Sequence, residues 1–238
     1  MSDTTLLASA VIFAGCFTQS VSGFGVALVT MALLPSLIGL QAATPLVALV
    51  ALTLEAIMLL RYHESLQIKS ILGLLGASLI TIPVGVIYLH RLDENVALFV
   101  LGLVLTLYAL YALIGFRLPE LKHPIWAWTF GVASGLLGGA YNISGPPVIV
   151  YGNCRKWLPA EFKSNLAGFF LVGSLVIVST HWVSGNITPN VIALFLKTLP
   201  ALLLGFILSQ YFDRWLNPNI FRRVVLILLV ILGIRLMM

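Results

Sequence analysis

The chain has 238 residues, of which 60% are hydrophobic and 9% charged, with a mean hydropathy of +1.07. A soluble domain carries about a quarter charged residues, so this composition excludes a water-soluble enzyme, a nucleic-acid binder and a disordered protein. The net charge of +5 comes from 13 Lys and Arg against 8 Asp and Glu, spread through short gaps between apolar runs without forming a basic patch.

Eight apolar segments follow one another at 6–34, 42–60, 71–89, 96–116, 125–151, 166–183, 191–212 and 220–238. A helix needs ~20 apolar residues to cross a ~30 Å hydrocarbon core, so the pattern predicts an all-α, multi-pass integral membrane protein. Trp126, Trp128, Trp157, Trp182 and Trp215 sit at or just beyond segment ends, where amphipathic rings favour the headgroup layer. The N-terminal Met1-Ser-Asp-Thr-Thr lacks the positive n-region of a signal peptide, and the first segment is expected to be retained. Cys16 and Cys154 have neither a disulfide nor a metal spacing. His63, His90, His123 and His181 lie at or near segment ends, as interfacial histidines do. With no clustered ligands, neither a metal nor a cofactor is expected. Asn186-Ile-Thr188 fits a glycosylation acceptor pattern, which carries no argument without knowledge of the host.

An internal repeat organises the segments. Val21-Ser-Gly-Phe-Gly-Val26 in the first matches Ile143-Ser-Gly-Pro-Pro-Val148 in the fifth at an offset of 122; Gly85 falls on Gly205 at 120, and Asn95 on Asn219 at 124. The common order and near-constant spacing predict two four-segment halves, 1–118 and 119–238, within one membrane domain. The first and fifth segments exceed single-crossing length and are interrupted, one by Ser22-Gly-Phe-Gly25, the other by the ten-residue stretch 138–147. Glycine costs ~1 kcal/mol in a helix and proline ~3, so the longer stretch is expected to unwind. Irregular backbone at membrane depth is tolerated only where protein buries it or a polar cavity meets it. The alternative is a packing kink made by small residues.

Each interrupted segment either crosses with a break or dips and returns; in the fifth, the stretches 126–137 and 146–157 are 12 residues each and suit either course. Charge separates the two. If all eight segments cross, the Lys and Arg outside the seventh segment divide 5 against 7 between the faces. If the first and fifth are re-entrant hairpins, they divide 10 against 2, with Arg91 and Arg235 alone on one side. Cytoplasmic loops carry the Lys/Arg excess. The hairpin topology is therefore favoured, which makes the halves inverted repeats and puts both termini outside.

In such a hairpin the returning arm begins at the bottom of the dip, so its free N–H groups and positive dipole end point into the protein. Pro146 and Pro147 suit a first helical turn. Gly23, Gly25 and Gly145 admit a ligand close to the backbone, while Gln19, Ser22, Asn142 and Ser144 offer neutral hydrogen-bond partners. The set describes a site near the bilayer midplane for a small oxyanion, a sulfonate or a carboxylate. Two ionisable residues lie inside apolar segments, at a cost of ~2.5 to 3.5 kcal/mol or more each. Lys197 either contacts the anion or snorkels to the interface. Glu55 either carries a proton for coupling or is structural.

Ser-Gly-Phe-Gly in the first segment, Gly-Leu-Leu-Gly-Gly-Ala-Tyr-Asn-Ile-Ser-Gly-Pro-Pro at 135–147 and the duplicated layout resemble the sulfite exporter TauE/SafE family of membrane permeases, over essentially the whole chain. The resemblance implies a multi-pass secondary transporter of a bacterial or archaeal inner membrane, moving sulfite, organosulfonates or related sulfur-containing anions. Gly23, Phe24, Gly25, Gly138, Gly139, Gly145, Pro146 and Pro147 match its motifs; Lys197 and Glu55 do not come from it. The expected partners are a small anionic substrate and the lipid bilayer, with a homo-oligomer compatible and nucleic acid excluded. Transport of another carboxylate or inorganic anion, or a passive anion channel, is the alternative. An intramembrane enzyme is disfavoured, because no carboxylate cluster and no Ser/His or metal-binding pair falls within the apolar segments.

Overall fold

The structure, a computed structural model, describes residues 3–62, 66–89, 91–115, 119–212 and 218–238. Among these the chain is all helical, without a strand: α1 (Asp3–Ser22), α2 (Val26–Leu33), α3 (Pro35–Ile38), α4 (Leu40–Tyr62), α5 (Ile68–Leu89), α6 (Glu94–Ile114), α7 (Ile125–Tyr141), α8 (Gly145–Cys154), α9 (Pro159–Val183), α10 (Pro189–Phe212) and α11 (Pro218–Met237). His63, His90 and Trp215 lie outside the described residues.

Local chemistry sets the boundaries. Helices α3, α8, α9, α10 and α11 open on or beside a proline, whose fixed φ and missing N–H suit a first turn. Asp93 caps α6 by accepting the Asn95 N–H at 2.9 Å, and left-handed Gly115 ends that helix. Six helices are long and apolar enough to cross a membrane: α1, α4, α5, α6, α9 and α10. Helix α11 has the length, with 20 residues, but carries Arg222, Arg223 and Arg235.

The chain packs as two compact units, one of residues 1–50, 91–116 and 187–238, the other of 51–90 and 117–186. Each unit therefore mixes helices from both sequence halves. In the first, α1 runs along α10 and α6 along α11; in the second, α5 is packed against α7 and α9. Small residues make these seams close. A Cβ at Gly131, Gly135 or Gly139, each four residues from the last on α7, would strike the α5 backbone. This is the small-residue packing of membrane helices. On α10, Gly205 lies in the same way against Phe13 and Phe17 of α1, and Gly85 of α5 against Leu136 and Ala140 of α7.

Trp126, Trp128 and Trp182 are exposed near helix ends. Trp157 instead joins an aromatic row, packing edge-on against Tyr151 and Phe162. His181 departs from expectation. It is fully buried, because the turn after α9 folds back and sets the Asn186 side chain 3.0 Å from its Nδ1.

Candidate functional site

The first interruption is three residues, Gly23-Phe24-Gly25. Gly23 and Gly25 take φ of 84° and 124°, a region L side chains rarely adopt, and the chain reverses there. Helix α2 lies back along α1, with Gly15 against Val26 and Thr30. In a continuous helix, residues 15 and 30 would stand ~22 Å apart. Gln19 Oε1 accepts the N–H of Val26 at 2.9 Å, so this side chain closes one of the open donors of α2. The Ser22 hydroxyl is turned onto the backbone, 2.7 Å from the Thr18 carbonyl and 2.6 Å from that of Phe24. The Phe24 ring is buried, edge-on to Tyr108, with the Arg222 guanidinium 5.2 Å from its centre. A void of only about 10 Å³, lined by Thr18, Ser22, Phe24, Gly25 and Arg222 among others, lies beside it.

The second interruption is narrower than the sequence suggested. Helix α7 persists through Gly138 and Gly139 to Tyr141, and α8 begins at Gly145, so only residues 142–144 are irregular. Consecutive glycines near a helix end cost little once their faces are packed, as Gly139 is against α5 and Gly138 against Ser144. The reversal rests on Asn142, left-handed at φ 58°, whose N–H returns to the Gly138 carbonyl at 2.8 Å; asparagine is the common substitute for glycine at such a cap. The Ser134 hydroxyl donates to the Ser144 carbonyl at 2.7 Å and clasps the bend. Pro146 and Pro147 occupy the first turn of α8. The two arms meet again at their open end. The Phe130 and Tyr151 rings meet at a tilt with centres 5.9 Å apart, the Leu121 N–H donates to the Cys154 carbonyl at 3.3 Å, and Arg155 donates to the Leu121 carbonyl at 3.0 Å.

Both interrupted segments are thus helical hairpins, with unequal arms rather than two half-length ones. Helix α1 has 20 residues against 8 in α2, and α7 has 17 against 10 in α8. At 1.5 Å per residue α1 spans ~30 Å, a whole hydrocarbon core.

The profile of the family described as sulfite exporter TauE/SafE matches residues 7–236. The chain belongs to the sulfite exporter TauE/SafE family. A curated relative, the probable sulfite/organosulfonate exporter TauE of Cupriavidus necator, is 28% identical over 236 residues, covering 96% of this chain and 92% of the relative. No solved structure matches. The family is one of membrane exporters, so this chain is a membrane transporter of small anions and not an enzyme.

The expected site residues fall in four places. Gln19, Ser22, Gly23, Phe24 and Gly25 gather at the first bend in one unit, and Asn142, Ser144, Gly145, Pro146 and Pro147 at the second bend in the other. Lys197 is exposed on α10 and does not line the void at the first bend. Glu55 is buried on α4, where its carboxylate accepts the Ser174 hydroxyl at 2.8 Å. Ser174 shares an α9 face with Phe170, which touches Gly145, and with Ile177, which touches Gly138; residues four and seven apart lie on one side of a helix. The acid therefore stands one side chain away from the face that covers the second bend. Arg222 is the residue that sequence reasoning missed, counted only in the tally of charges on each membrane face. A signal was present. Arg222, Leu226 and Leu229 fall at helical spacing with both leucines buried, whereas Arg223 belongs to the exposed face.

Proposed function

We propose that this transporter exports sulfite, an organosulfonate or a related sulfur-containing anion across the cytoplasmic membrane by alternating access. The single observation that carries the reading is the paired hairpin. Two helices, at matched places in the sequence, reverse and start a short return helix from a buried bend. Such a helix start presents the positive end of a dipole to an anion, and at α2 the N–H groups of Ala27 and Leu28 add open donors. The repeat reading gains support from packing. Exchanging the halves turns the α1–α10 pair into the α7–α5 pair, and Gly205 against α1 into Gly85 against α7. Helices α4, α5, α6, α9, α10 and α11 then cross, the hairpins enter from opposite faces, and both termini lie outside. Glu55 is the proton-coupling group, its carboxyl held by Ser174. The relative's description as a sulfite/organosulfonate exporter supports the substrate class.

The test is flux in proteoliposomes. Sulfite or an organosulfonate is expected to move with saturation and to respond to an imposed proton gradient, and Glu55→Gln is expected to abolish that response. Flux that rises linearly with concentration identifies a channel and removes alternating access. Topology is read separately, from cysteines placed at the exposed positions Gln41 and Asn153. Reaction from opposite sides of the membrane fits the inverted hairpins, and reaction from one side sinks them.

A further inference from the structure

Among the described residues, no carboxylate is paired with the cation at the first bend. Arg222 lies four residues into α11, half-buried, on the stripe that continues through Leu226 and Leu229. Among the described residues the ion pairs join Glu120 to Lys122 and to Lys156, and none reaches Arg222. Its neighbours are the Phe24 ring at 5.2 Å and Tyr108, which its charge reaches. The buried Tyr108 hydroxyl lies within hydrogen-bonding reach of the Arg222 guanidinium and makes no bond of ordinary geometry to another described residue. A guanidinium inside an apolar segment without a counter-charge is costly, and intramembrane cations mark substrate and ion paths. The void beside it, about 10 Å³, holds at most one water by the usual measure. The Phe24 ring fills the space an oxyanion would need. That ring is carried between Gly23 and Gly25, the residue type whose backbone rearranges at least steric cost.

Resting on the anion-export reading, we propose that Arg222 binds the anionic group of the substrate, and that Phe24 covers the guanidinium while the site is empty and yields to the anion when it enters. A planar guanidinium offers two parallel N–H donors to an oxyanion such as sulfite or a sulfonate, and the Tyr108 hydroxyl supplies a third donor beside it.

Calorimetric titration of the purified protein in lipid nanodiscs with sulfite, methanesulfonate, acetate and phosphate tests this. The wild type is expected to bind sulfite or methanesulfonate. Arg222→Gln weakens that binding by about tenfold or more, and Arg222→Lys by less, because charge is kept and the fork is lost. Phe24→Leu, which removes the competing ring, tightens it about twofold or more, while the exposed Arg223→Gln leaves it within about twofold. Equal affinity in wild type and Arg222→Gln overturns the assignment and leaves the transport reading standing. A wild type that binds none of the four anions overturns both. Should Arg222→Gln fail to fold, the wild type answers by itself: saturating methanesulfonate is expected to slow phenylglyoxal modification of Arg222, and not of Arg223, by about tenfold. Unchanged modification of Arg222 overturns the assignment.

Discussion

The two bends perform the same backbone manoeuvre with different chemistry. At the first, two positive-φ glycines turn the chain, a glutamine side chain caps the return helix, and an arginine stands over the phenylalanine between the glycines. At the second, a left-handed asparagine turns it, two prolines open the return helix, and a serine hydroxyl clasps the bend to the first arm. Prolines have no N–H, so the first turn of α8 has fewer donors than that of α2, where Ala27 and Leu28 retain theirs. The cation is at the first bend and the acid, Glu55, is near the second. Duplicated backbone geometry therefore does not imply duplicated recognition: the first bend is equipped to meet a negative charge, and the second to hold its shape beside a titratable group.

The largest test of this contrast is steric. A side chain at Gly139 would run into the Ile82 carbonyl and the Val86 nitrogen of α5, whereas a Cβ at Gly145 meets Phe170 and Ile149 at 3.6 and 3.7 Å, ordinary contact. Gly139→Leu is expected to cost about 3 kcal/mol or more and to yield little monodisperse protein in size-exclusion chromatography. Gly145→Leu is expected to insert and fold yet abolish flux, since its side chain lies at the bend itself. If Gly139→Leu folds as well as Gly145→Leu, the α5–α7 seam is not as close as the structure has it.

Composition and segment length made the all-helical membrane class legible, because burying backbone in lipid leaves few solutions. Glycine and proline placed both bends to within a few residues. The extent of the second was not legible. Gly138 and Gly139 are identical in sequence to loop-forming glycines and differ only in being packed, and packing is a property of the partner helix. Arg222 was obscured for a related reason. Two adjacent arginines at a segment start look alike in a charge count, and only the register set by Leu226 and Leu229 separates the inward one from the outward one. Lys197 drew attention for its depth, yet depth along a helix does not say which way a side chain faces.

The hydrogen bonds that hold the bends offer a finer test. Gln19→Leu removes the acceptor of the buried Val26 N–H and leaves an unsatisfied donor, a loss of about 1–3 kcal/mol. Ser134→Ala removes a donor from the Ser144 carbonyl, which is closer to an ordinary hydrogen-bond loss of about 0.5–1.5 kcal/mol. Thermal unfolding of the two variants in one detergent is expected to rank Gln19→Leu below Ser134→Ala. The reverse order would mean that the serine clasp, not the glutamine cap, is the more demanding of the two bends.

The smallest effect expected is at Lys197. Its side chain is exposed on α10, and a long basic stem there is free to carry its ammonium to the interface at little cost. Turned away from the first bend, Lys197 makes no contact there to lose, so Lys197→Met should change anion affinity by less than about twofold, measured in the same calorimetric titration used for Arg222. Both residues belong to the first unit and both are cations in apolar segments, which makes them a fair pair. They differ in that Arg222 is turned toward the bend and has no ion pair among the described residues, while Lys197 is turned outward. A loss at Lys197→Met as large as at Arg222→Gln would mean that net positive charge in this unit, rather than a guanidinium aimed at the first bend, draws the anion in.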